Sequence, residues 1–478
     1  PTPERLLVAC DGVGNAIEIQ TQASVGREVR SRYLETTWGR RYDIAFPVTV
    51  PPLGYQLVRI WESDRKPVTV SPSRHLENAW YVLAVRDGQL VLTEKATGIT
   101  FSDPVQFEYQ LDNGDTYSFG PVPEAGPWWA ELTDIAVGID IVHLTHCLRV
   151  PKSHADFIGQ TAATTTLTIA SELRLNEQRS LSVTVRYRNT AKDGRLRVIF
   201  PLGFATRHSL ADGHFRLAER TKPHLRTPES DPERYQAYPG ELDYPTHHQG
   251  DFAIVAGEVA GQSCRVWVAN RGLPEYEILA PEDTHNRDRA SSVAITLHRA
   301  VGYLSADNGR IRRCQAGPSV PTPGAQCQRE IQAELAYGFG TVTPESIARL
   351  ARAFAHPAWV SEMPMLPYVR GESSDRTLAR QDSLLEIDNP QIVLSACKPG
   401  SDRGDCVLRV YNIADIPQTA TLRLGFPASA WCMTDLFDTW QEANAQPVKD
   451  GTIVIEVGPH QIATVVVRSL WCDLDSSL

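Results

Sequence analysis

Leu181-Ser-Val-Thr-Val-Arg-Tyr187 alternates apolar and polar residues with a period of two, and this pattern decides the fold class. Successive side chains of an extended strand point to opposite faces, so the alternation is typical of a strand with one buried face. Leu167-Thr-Ile-Ala170 and Thr452-Ile-Val-Ile-Glu-Val457 repeat the pattern. Turn residues separate such segments, as in Arg86-Asp87-Gly88 and Lys192-Asp193-Gly194. We therefore predict an all-β protein built from stacked β-sandwiches.

One segment has helical spacing instead. In Pro344–Phe354 the apolar residues Ile347, Leu350 and Phe354 fall on one stripe, and Thr341 or Thr343 precedes them as a capping residue. This pattern predicts one short helix in a linker, because the sequence that follows is polar, rich in proline and irregular up to about residue 385.

Breaks in the strand pattern predict the domain boundaries. One break is the Pro-, Ser- and charge-rich stretch 64–73, and the other is the helix and linker. We predict a small β-sandwich at 1–70, a large β super-sandwich at 71–340, the helix and linker at 341–385, and a C-terminal β-sandwich at 386–478.

Composition narrows the class of partner. The 478 residues include 57 acidic and 47 basic side chains, a net charge of -10, whereas nucleic-acid binding needs a basic surface. No uncharged apolar stretch reaches the length of about 18 residues needed to span a membrane. We therefore expect neither nucleic acid nor membrane as a partner. Residue 1 is proline, and the three methionines are Met363, Met365 and Met433, so we expect a piece of a longer protein.

Nine cysteines are scattered along the chain without a C-x-x-C pair. This spacing favours free thiols in a reducing cytosol over a disulfide scaffold or a zinc finger. We therefore expect a cytoplasmic protein. Two pairs leave an alternative open, since Cys314 with Cys327, and Cys397 with Cys406, could each close a loop.

Local catalytic and metal motifs are missing from the sequence. It contains no phosphate loop, nucleophile elbow or H-E-x-x-H motif. His143 and His146 lie in a strand-like run where positions three apart point to opposite faces, so they are not expected to share a metal ion. The adjacent His247 and His248 are interpreted as loop residues. Paired carboxylates of a glycosidase come from distant strands and are invisible to such a search.

Aromatic and arginine side chains carry a carbohydrate signal, because flat rings stack on sugar C–H faces and a guanidinium donates to several hydroxyls. Candidate arginine Arg299 ends the alternating segment Ser292–Arg299; the alternative is a surface salt bridge. Candidate aromatics, each with a plain core position as the alternative, are Trp80-Tyr81, Trp128-Trp129, Tyr235, Tyr238 and Tyr244.

Several segments resemble a known family in the order in which they occur. Among them are Val50-Pro-Pro-Leu-Gly-Tyr55, Gly114-Asp-Thr-Tyr117, Asn189–Arg197, Asn270–Glu277, Leu297-His-Arg299 and Arg409-Val-Tyr-Asn412. Together they resemble the C-terminal half of family 38 glycoside hydrolases, the zinc-dependent retaining α-mannosidases, over nearly the whole chain. Gly194 departs from the family pattern, which usually has histidine there.

The resemblance implies a galactose-mutarotase-like large sandwich and a division of labour. In that family an N-terminal (β/α) barrel and a three-helix bundle supply the zinc ligands, the Asp nucleophile and the acid/base carboxylate. We therefore assign no catalytic residue and no metal ligand here, and expect zinc in the missing catalytic domain. The large sandwich lends side chains to the rim of the active site, which makes Arg299, His298, Asn270 and Arg271 candidate substrate-binding residues.

The sequence thus predicts the carbohydrate-cleft-forming, non-catalytic part of an α-mannosidase, inactive by itself, with an α-mannoside and the barrel and helix bundle as partners. Two alternatives remain. The first is a free-standing carbohydrate-binding or mutarotase-like module. The second is an assembling domain that forms a homo-oligomer.

Overall fold

A computed structural model describes residues 6–11, 14–17, 20–24, 28–30, 36–38, 41–46, 48–63, 75–138, 140–222, 232–233, 245–279, 291–306, 315–361, 381–401 and 404–470. The chain divides into two compact units. One comprises residues 71–357, and the other joins residues 1–70 to residues 358–478. Strands dominate both units, which confirms the predicted all-β class.

In residues 1–70 the strands are β1 (Leu6–Asp11), β2 (Ala16–Ile17), β3 (Gln20–Ser24), β4 (Glu28–Arg30), β5 (Thr36–Trp38), β6 (Arg41–Ala45), β7 (Gly54–Gln56) and β8 (Val58–Ser63). They form the antiparallel sheet β2-β1-β8 and the two-stranded pairs β3-β6 and β4-β5.

Residues 71–357 hold nineteen strands in the described segments. They are β9 (His75–Glu77), β10 (Tyr81–Arg86), β11 (Gln89–Glu94), β12 (Thr100–Ser102), β13 (Gln106–Leu111), β14 (Trp128–Trp129), β15 (Glu131–Val137), β16 (Val142–Pro151), β17 (Thr164–Asn176), β18 (Ser180–Arg188), β19 (Gly194–Pro201), β20 (His208–Gly213), β21 (Arg216–Thr221), β22 (Thr246–His248), β23 (Phe252–Val259), β24 (Gln262–Asn270), β25 (Glu275–Leu279), β26 (Ser292–Ala300) and β27 (Glu330–Gly340).

These strands build a large sandwich. A six-stranded antiparallel sheet, β14-β13-β19-β26-β25-β22, packs on a nine-stranded one, β15-β16-β17-β18-β27-β24-β23-β20-β21. The ring of Phe200 on β19 stacks on that of Tyr337 on β27, with centroids 5.0 Å apart. A four-stranded sheet, β12-β11-β10-β9, joins the same core, because the Tyr81 hydroxyl donates to the Phe339 carbonyl at 2.6 Å.

The segments that alternate apolar and polar residues form strands with one buried face, as their pattern predicts. On β18 the side chains of Leu181, Val183, Val185 and Tyr187 are buried, whereas Arg186 is exposed. The turn between β10 and β11 is equally local in origin: Asp87 and Gly88 have positive φ angles of 50° and 80°, which suits Asp and Gly.

Two α-helices of the larger unit are described over their whole length. The sequence did not predict α1 (His154–Ile158), which Ser153 caps by accepting from the Asp156 amide. The predicted helix is present as α2 (Pro344–Ala355), and Thr343, not Thr341, is its cap. Neither helix is long and apolar enough to cross a membrane.

Helix α2 packs against β23 and β24 of the nine-stranded sheet and falls within the larger unit. The reason is that Ala348 and Ala351 widen the apolar stripe of Ile347 and Phe354, and all four side chains are buried. The predicted domain boundaries stay predictions.

The strands that follow are β28 (Gln381–Ser383), β29 (Leu385–Ile387), β30 (Ile392–Pro399), β31 (Asp405–Asn412), β32 (Gln418–Leu424), β33 (Ala428–Thr434), β34 (Gln446–Pro447), β35 (Thr452–Val457) and β36 (Ile462–Ser469). Strand β28 pairs with β7. The sheets β29-β32-β35 and β30-β31-β36-β33-β34 enclose one apolar core and so form the C-terminal sandwich.

Candidate functional site

The outward face of the six-stranded sheet in residues 71–357 is charged. Strand alternation produces it, because Leu196 and Tyr276 point into the core while Arg195, Arg197 and Glu277 point the other way. The side chains of both arginines are nevertheless 3% exposed or less. Charged groups in this position need partners, since an unpaired buried charge is strongly unfavourable.

Arg197 is the centre of an ion network on this face. It donates to Glu277 at 2.6 Å and to Glu108 at 2.9 Å. Arg195 reaches Glu277 at 3.3 Å, and the Lys222 ammonium lies 3.4 Å from the same carboxylate. Burial by itself raises the pKa of Glu277, but the three cations outweigh it and lower that pKa to about 2. Arg195 also donates to Glu275 at 3.2 Å, so three cations face three carboxylates and Glu277 stays ionised.

Arg299 lies beside this network, opposite Arg195 in the pairing of β19 with β26. Its Nε donates to the Asp112 carboxylate at 2.5 Å, and its Nη2 donates to the carbonyls of Asp115 (2.6 Å) and Ser118. Burial raises the pKa of Asp112, although Arg299 opposes that shift. Arg299 thus fixes the loop at residues 112–120, which we call the rim loop.

The rim loop is further ordered by its own carboxylates. The second oxygen of Asp112 accepts from the amides of Gly114 (2.7 Å) and Gly120 (2.8 Å). One oxygen of Asp115 accepts from the amides of Tyr117 and Ser118, each at 3.0 Å. These bonds are local turns that Asp favours. The loop also covers the ion network, because the Phe119 ring lies 3.7 Å from the Arg195 guanidinium carbon.

The rim loop presents aromatic side chains. Tyr117 is 53% exposed, and Tyr303, on the adjoining segment, is 47% exposed. The Thr116 amide donates to the Tyr303 carbonyl at 3.2 Å, which ties the two segments together. Gly317 lies against Tyr117, since a Cβ built on it would be 3.3 Å from the tyrosine oxygen. Exposed rings on a fixed loop, next to polar groups, suit stacking on a sugar.

His298 precedes Arg299 on β26 and points to the other face of the sheet. Its Nδ1 shares a hydrogen bond of 2.6 Å with the Tyr187 hydroxyl, inside the sandwich. Its Nε2 is buried without a hydrogen-bond partner. Burial lowers the pKa of His298 to about 4, so the ring is neutral at pH 7. The structure therefore places His298 in the core.

Asn270 and Arg271 lie at the end of β24, on the nine-stranded sheet. The Asn270 side chain accepts from the Leu273 amide at 2.7 Å and donates to the Gly250 carbonyl at 3.2 Å. Arg271 donates twice to the Phe354 carbonyl at the end of α2 and pairs with Glu334. A cation at a helix C-terminus is favourable. The structure thus does not bring this pair onto the sheet that carries Arg299.

Sequence reasoning did not single out Tyr117 and Tyr303 as site residues. Of the aromatic candidates it did name, Tyr81 is fully buried, while Tyr235, Tyr238 and Tyr244 lie outside the described residues. The usable signal was Gly114-Asp-Thr-Tyr117, a turn-forming sequence that ends in an aromatic residue. Turns lie at the surface, so an aromatic within one is expected to be exposed.

His143 and His146 are two positions on one strand where a shared metal ion is not expected. His143 is exposed and His146 buried on β16, so the two rings do point to opposite faces. In the segments that the structure describes, no group of three or more His, Cys, Asp or Glu residues is arranged to hold a metal ion.

Comparison with known proteins relates the chain to family 38. Residues 391–465 match the family model of the glycosyl hydrolases family 38 C-terminal beta sandwich domain. A putative mannosylglycerate hydrolase of Halalkalibacterium halodurans is 27% identical over 92% of this chain. That alignment covers 46% of the relative, so the chain spans about half the length of the curated relative that it matches.

Solved structures show the same fold. An alpha-mannosidase from Enterococcus faecalis V583 matches 98% of this chain and 51% of its own with a TM-score of 0.68 at 21% identity. A family 38 glycosyl hydrolase protein from Enterococcus faecalis matches 98% of this chain and 53% of its own, with a TM-score of 0.69 at 20% identity. The chain is thus similar in fold to these two proteins, and its residues 391–465 match the family 38 C-terminal domain.

Proposed function

We propose that this chain is the carbohydrate-cleft-forming part of a cytoplasmic, retaining α-mannosidase that hydrolyses α-mannosidic bonds in mannose metabolism. The rim loop, with Tyr117 and Tyr303, forms one wall of the sugar cleft. The observation that carries the proposal is this exposed aromatic rim, braced by Arg299, on a chain whose sequence relative is named a mannosylglycerate hydrolase. Membership of family 38 for the whole chain is part of the proposal.

The hydrolytic groups are proposed to lie in a barrel and helix bundle outside these 478 residues. Retaining hydrolysis needs one carboxylate free to attack the sugar and a second that exchanges a proton, about 5 Å apart. Glu108 and Glu277 are held by Arg197, so neither is placed to attack. Zinc, when bound in the missing domain, would position sugar hydroxyls as a Lewis acid.

Within that assembly the rim has a binding role. The Tyr117 and Tyr303 rings would stack on the apolar face of the sugar, and Arg299 would keep the loop in place by its bonds to Asp112 and Ser118. We carry Arg299 forward as a positioning residue. Direct contact of Arg299, His298, Asn270 or Arg271 with the sugar stays a prediction from the resemblance.

Assay of the purified 478-residue chain on an aryl α-mannoside, with and without added zinc, tests the division of labour. We expect no turnover above the buffer blank in either condition. Clear turnover would overturn it. Binding is tested separately by NMR titration with methyl α-mannoside, where the ring resonances of Tyr117 and Tyr303 should shift and those of the buried Tyr81 should not.

A free-standing carbohydrate-binding or mutarotase-like module is the second candidate. The large two-sheet sandwich with an exposed tyrosine pair favours it, because such a surface binds sugar without a barrel. Polarimetry on freshly dissolved mannose and galactose distinguishes the two, since only the mutarotase accelerates the approach to anomeric equilibrium. Sedimentation equilibrium of the same sample tests the third alternative, a homo-oligomer.

A further inference from the structure

Two cysteines lie side by side in the C-terminal sandwich. Cys397 is on β30 and Cys406 on the antiparallel strand β31, where their direct partners are Leu408 and Pro399. The two cysteines are therefore diagonal neighbours on one face of the sheet. Their sulfur atoms are 4.0 Å apart. A disulfide bond between them would need rotation of the side chains and an adjustment of the hairpin backbone, because diagonal neighbours lie further apart than direct pairs.

The hairpin holds this arrangement together independently of the thiols. The Gly400 amide donates to the Asp405 carbonyl at 2.7 Å. The pairing of β30 with β31 runs from Pro399 opposite Cys406 to Ile392 opposite Asn412. Both cysteines are half-buried and pack at the edge of the apolar core. A small oxidant can therefore reach sulfurs that are already aligned.

The two thiols also influence each other's acidity. The two sulfurs share a hydrogen bond, which lowers the pKa of Cys397 to about 7, against the smaller opposing effect of burial. The same contact raises the pKa of Cys406. Cys397 is thus the member of the pair that is partly thiolate at neutral pH, which is the reactive form.

We propose that Cys397 and Cys406 are a redox modification site that closes to an intramolecular disulfide in the presence of a low-molecular-weight disulfide such as oxidised glutathione. The Cys397 thiolate attacks one sulfur of the oxidant and releases the other half as a thiolate. Cys406, on losing its proton, then attacks the Cys397 sulfur of the mixed disulfide and releases the second half. Two cysteine thiols are oxidised and one oxidant disulfide is reduced to two thiols.

Closure would clamp the β30–β31 hairpin at its turn. The covalent loop contains only the residues from 397 to 406, so the loss of chain entropy in the unfolded state is modest. We expect the oxidised chain to have a higher thermal midpoint for the C-terminal unit and slower amide exchange in the hairpin than the reduced chain. This inference is independent of the proposed carbohydrate function.

Non-reducing peptide mapping of the full chain tests the proposal. The reduced protein is equilibrated with oxidised glutathione, remaining thiols are alkylated, and trypsin cleaves after Arg403, between the two cysteines. We expect one linked peptide pair, two hydrogens lighter than the sum of its parts, and the loss of two alkylatable thiols per chain. Reduction should restore both thiols.

Two contrary results would overturn the proposal. In the first, Cys397 and Cys406 both stay alkylatable while the half-buried Cys147 becomes glutathionylated. The other is a separate glutathione adduct on each of the two, without a linked peptide. Cys397→Ser and Cys406→Ser should each trap a glutathione adduct on the remaining partner, whereas Cys147→Ser should leave the linked peptide unchanged. The mapping of the unmutated chain decides the question even if a variant folds poorly.

Discussion

Arg197 and Arg299 lie on the same charged face of the six-stranded sheet. Their guanidinium groups donate hydrogen bonds to different kinds of partner. Arg197 lies between two glutamates and is 2% exposed. Arg299 is 19% exposed, has one carboxylate partner, and directs its remaining bonds to loop carbonyls. The first arrangement neutralises charge inside the fold, whereas the second positions an aromatic loop in solvent.

The difference between the two arginines indicates where a ligand could bind on this face. A carboxylate or guanidinium whose hydrogen bonds all go to other buried charges has little left to offer a ligand. The rim loop that Arg299 fixes carries Tyr117, whose side chain is half exposed. Buried charge is therefore a poor guide to a ligand site on this face, and the exposed rim loop is a better one.

Arg197→Met should produce the largest effect, because it leaves Glu108 and Glu277 buried with one fewer cation. We expect the free energy of unfolding to fall by about 3–5 kcal/mol, measured by urea denaturation. The control is Arg188→Met, which removes a 3.2 Å ion pair with Glu330 whose side chains are 63% and 73% exposed. That variant should lose less than about 1 kcal/mol. Equal losses in the two variants would show that the buried network of Arg197 contributes no more to stability than an exposed ion pair.

The strands were predictable from sequence, but the partners of their charges were not. Period two places Arg195 and Arg197 on one face, yet Glu108 and Glu277 lie 89 and 80 residues away along the chain. A β-bulge also interrupts β26 opposite Leu196 and Arg197, so the faces of His298 and Arg299 did not follow from simple alternation. Long-range pairing and bulges are set by tertiary packing, which local patterns do not record.

Gly194 departs from the family pattern, and the physical reason for this glycine lies on another strand. The family usually has histidine at this point, but a Cβ on Gly194 would lie 2.1 Å from the Tyr109 oxygen. The bulky ring on β13 and the missing side chain on β19 compensate each other. No local pattern around residue 194 contains this information.

Acid should destabilise the large sandwich through His298, the neighbour of Arg299 that faces inward. Burial lowers the pKa of His298 to about 4 from an ordinary value of 6.5, so the unfolded chain binds the proton more readily. The stabilising contribution is complete above about pH 6.5 and is lost as the pH falls towards 4, by up to about 3 kcal/mol.

His298→Asn should flatten this part of the stability profile, measured by urea unfolding at half-unit pH steps. His146, whose pKa burial also lowers to about 4, retains its own share of the slope. His143→Asn, on an exposed position of the same strand as His146, is the control and should keep the full slope. A His298→Asn slope equal to that of the control would show that the ring does not resist protonation.

Arg299→Lys should have a smaller effect and act on the rim loop. Lysine can still pair with Asp112, but its compact ammonium cannot also reach the Asp115 and Ser118 carbonyls in the same geometry. We expect a loss of about 1–2 kcal/mol, from two hydrogen bonds, and faster hydrogen exchange of the amides in residues 113–120. Unchanged exchange in that segment would mean that Arg299 does not brace the loop.

Tyr117→Ala should barely change the free energy of unfolding, but it should weaken the binding of a mannoside. Half of the side chain is already in solvent, so the free energy of unfolding should move by less than about 1 kcal/mol. If the ring stacks on a mannoside, the dissociation constant measured by NMR titration should rise about tenfold, which corresponds to about 1.4 kcal/mol. Tyr117→Phe keeps the ring face and should bind like the unmutated chain. A Phe variant as weak as the Ala variant would transfer the contact from the ring to the hydroxyl, and an Ala variant that binds normally would remove Tyr117 from the proposed cleft.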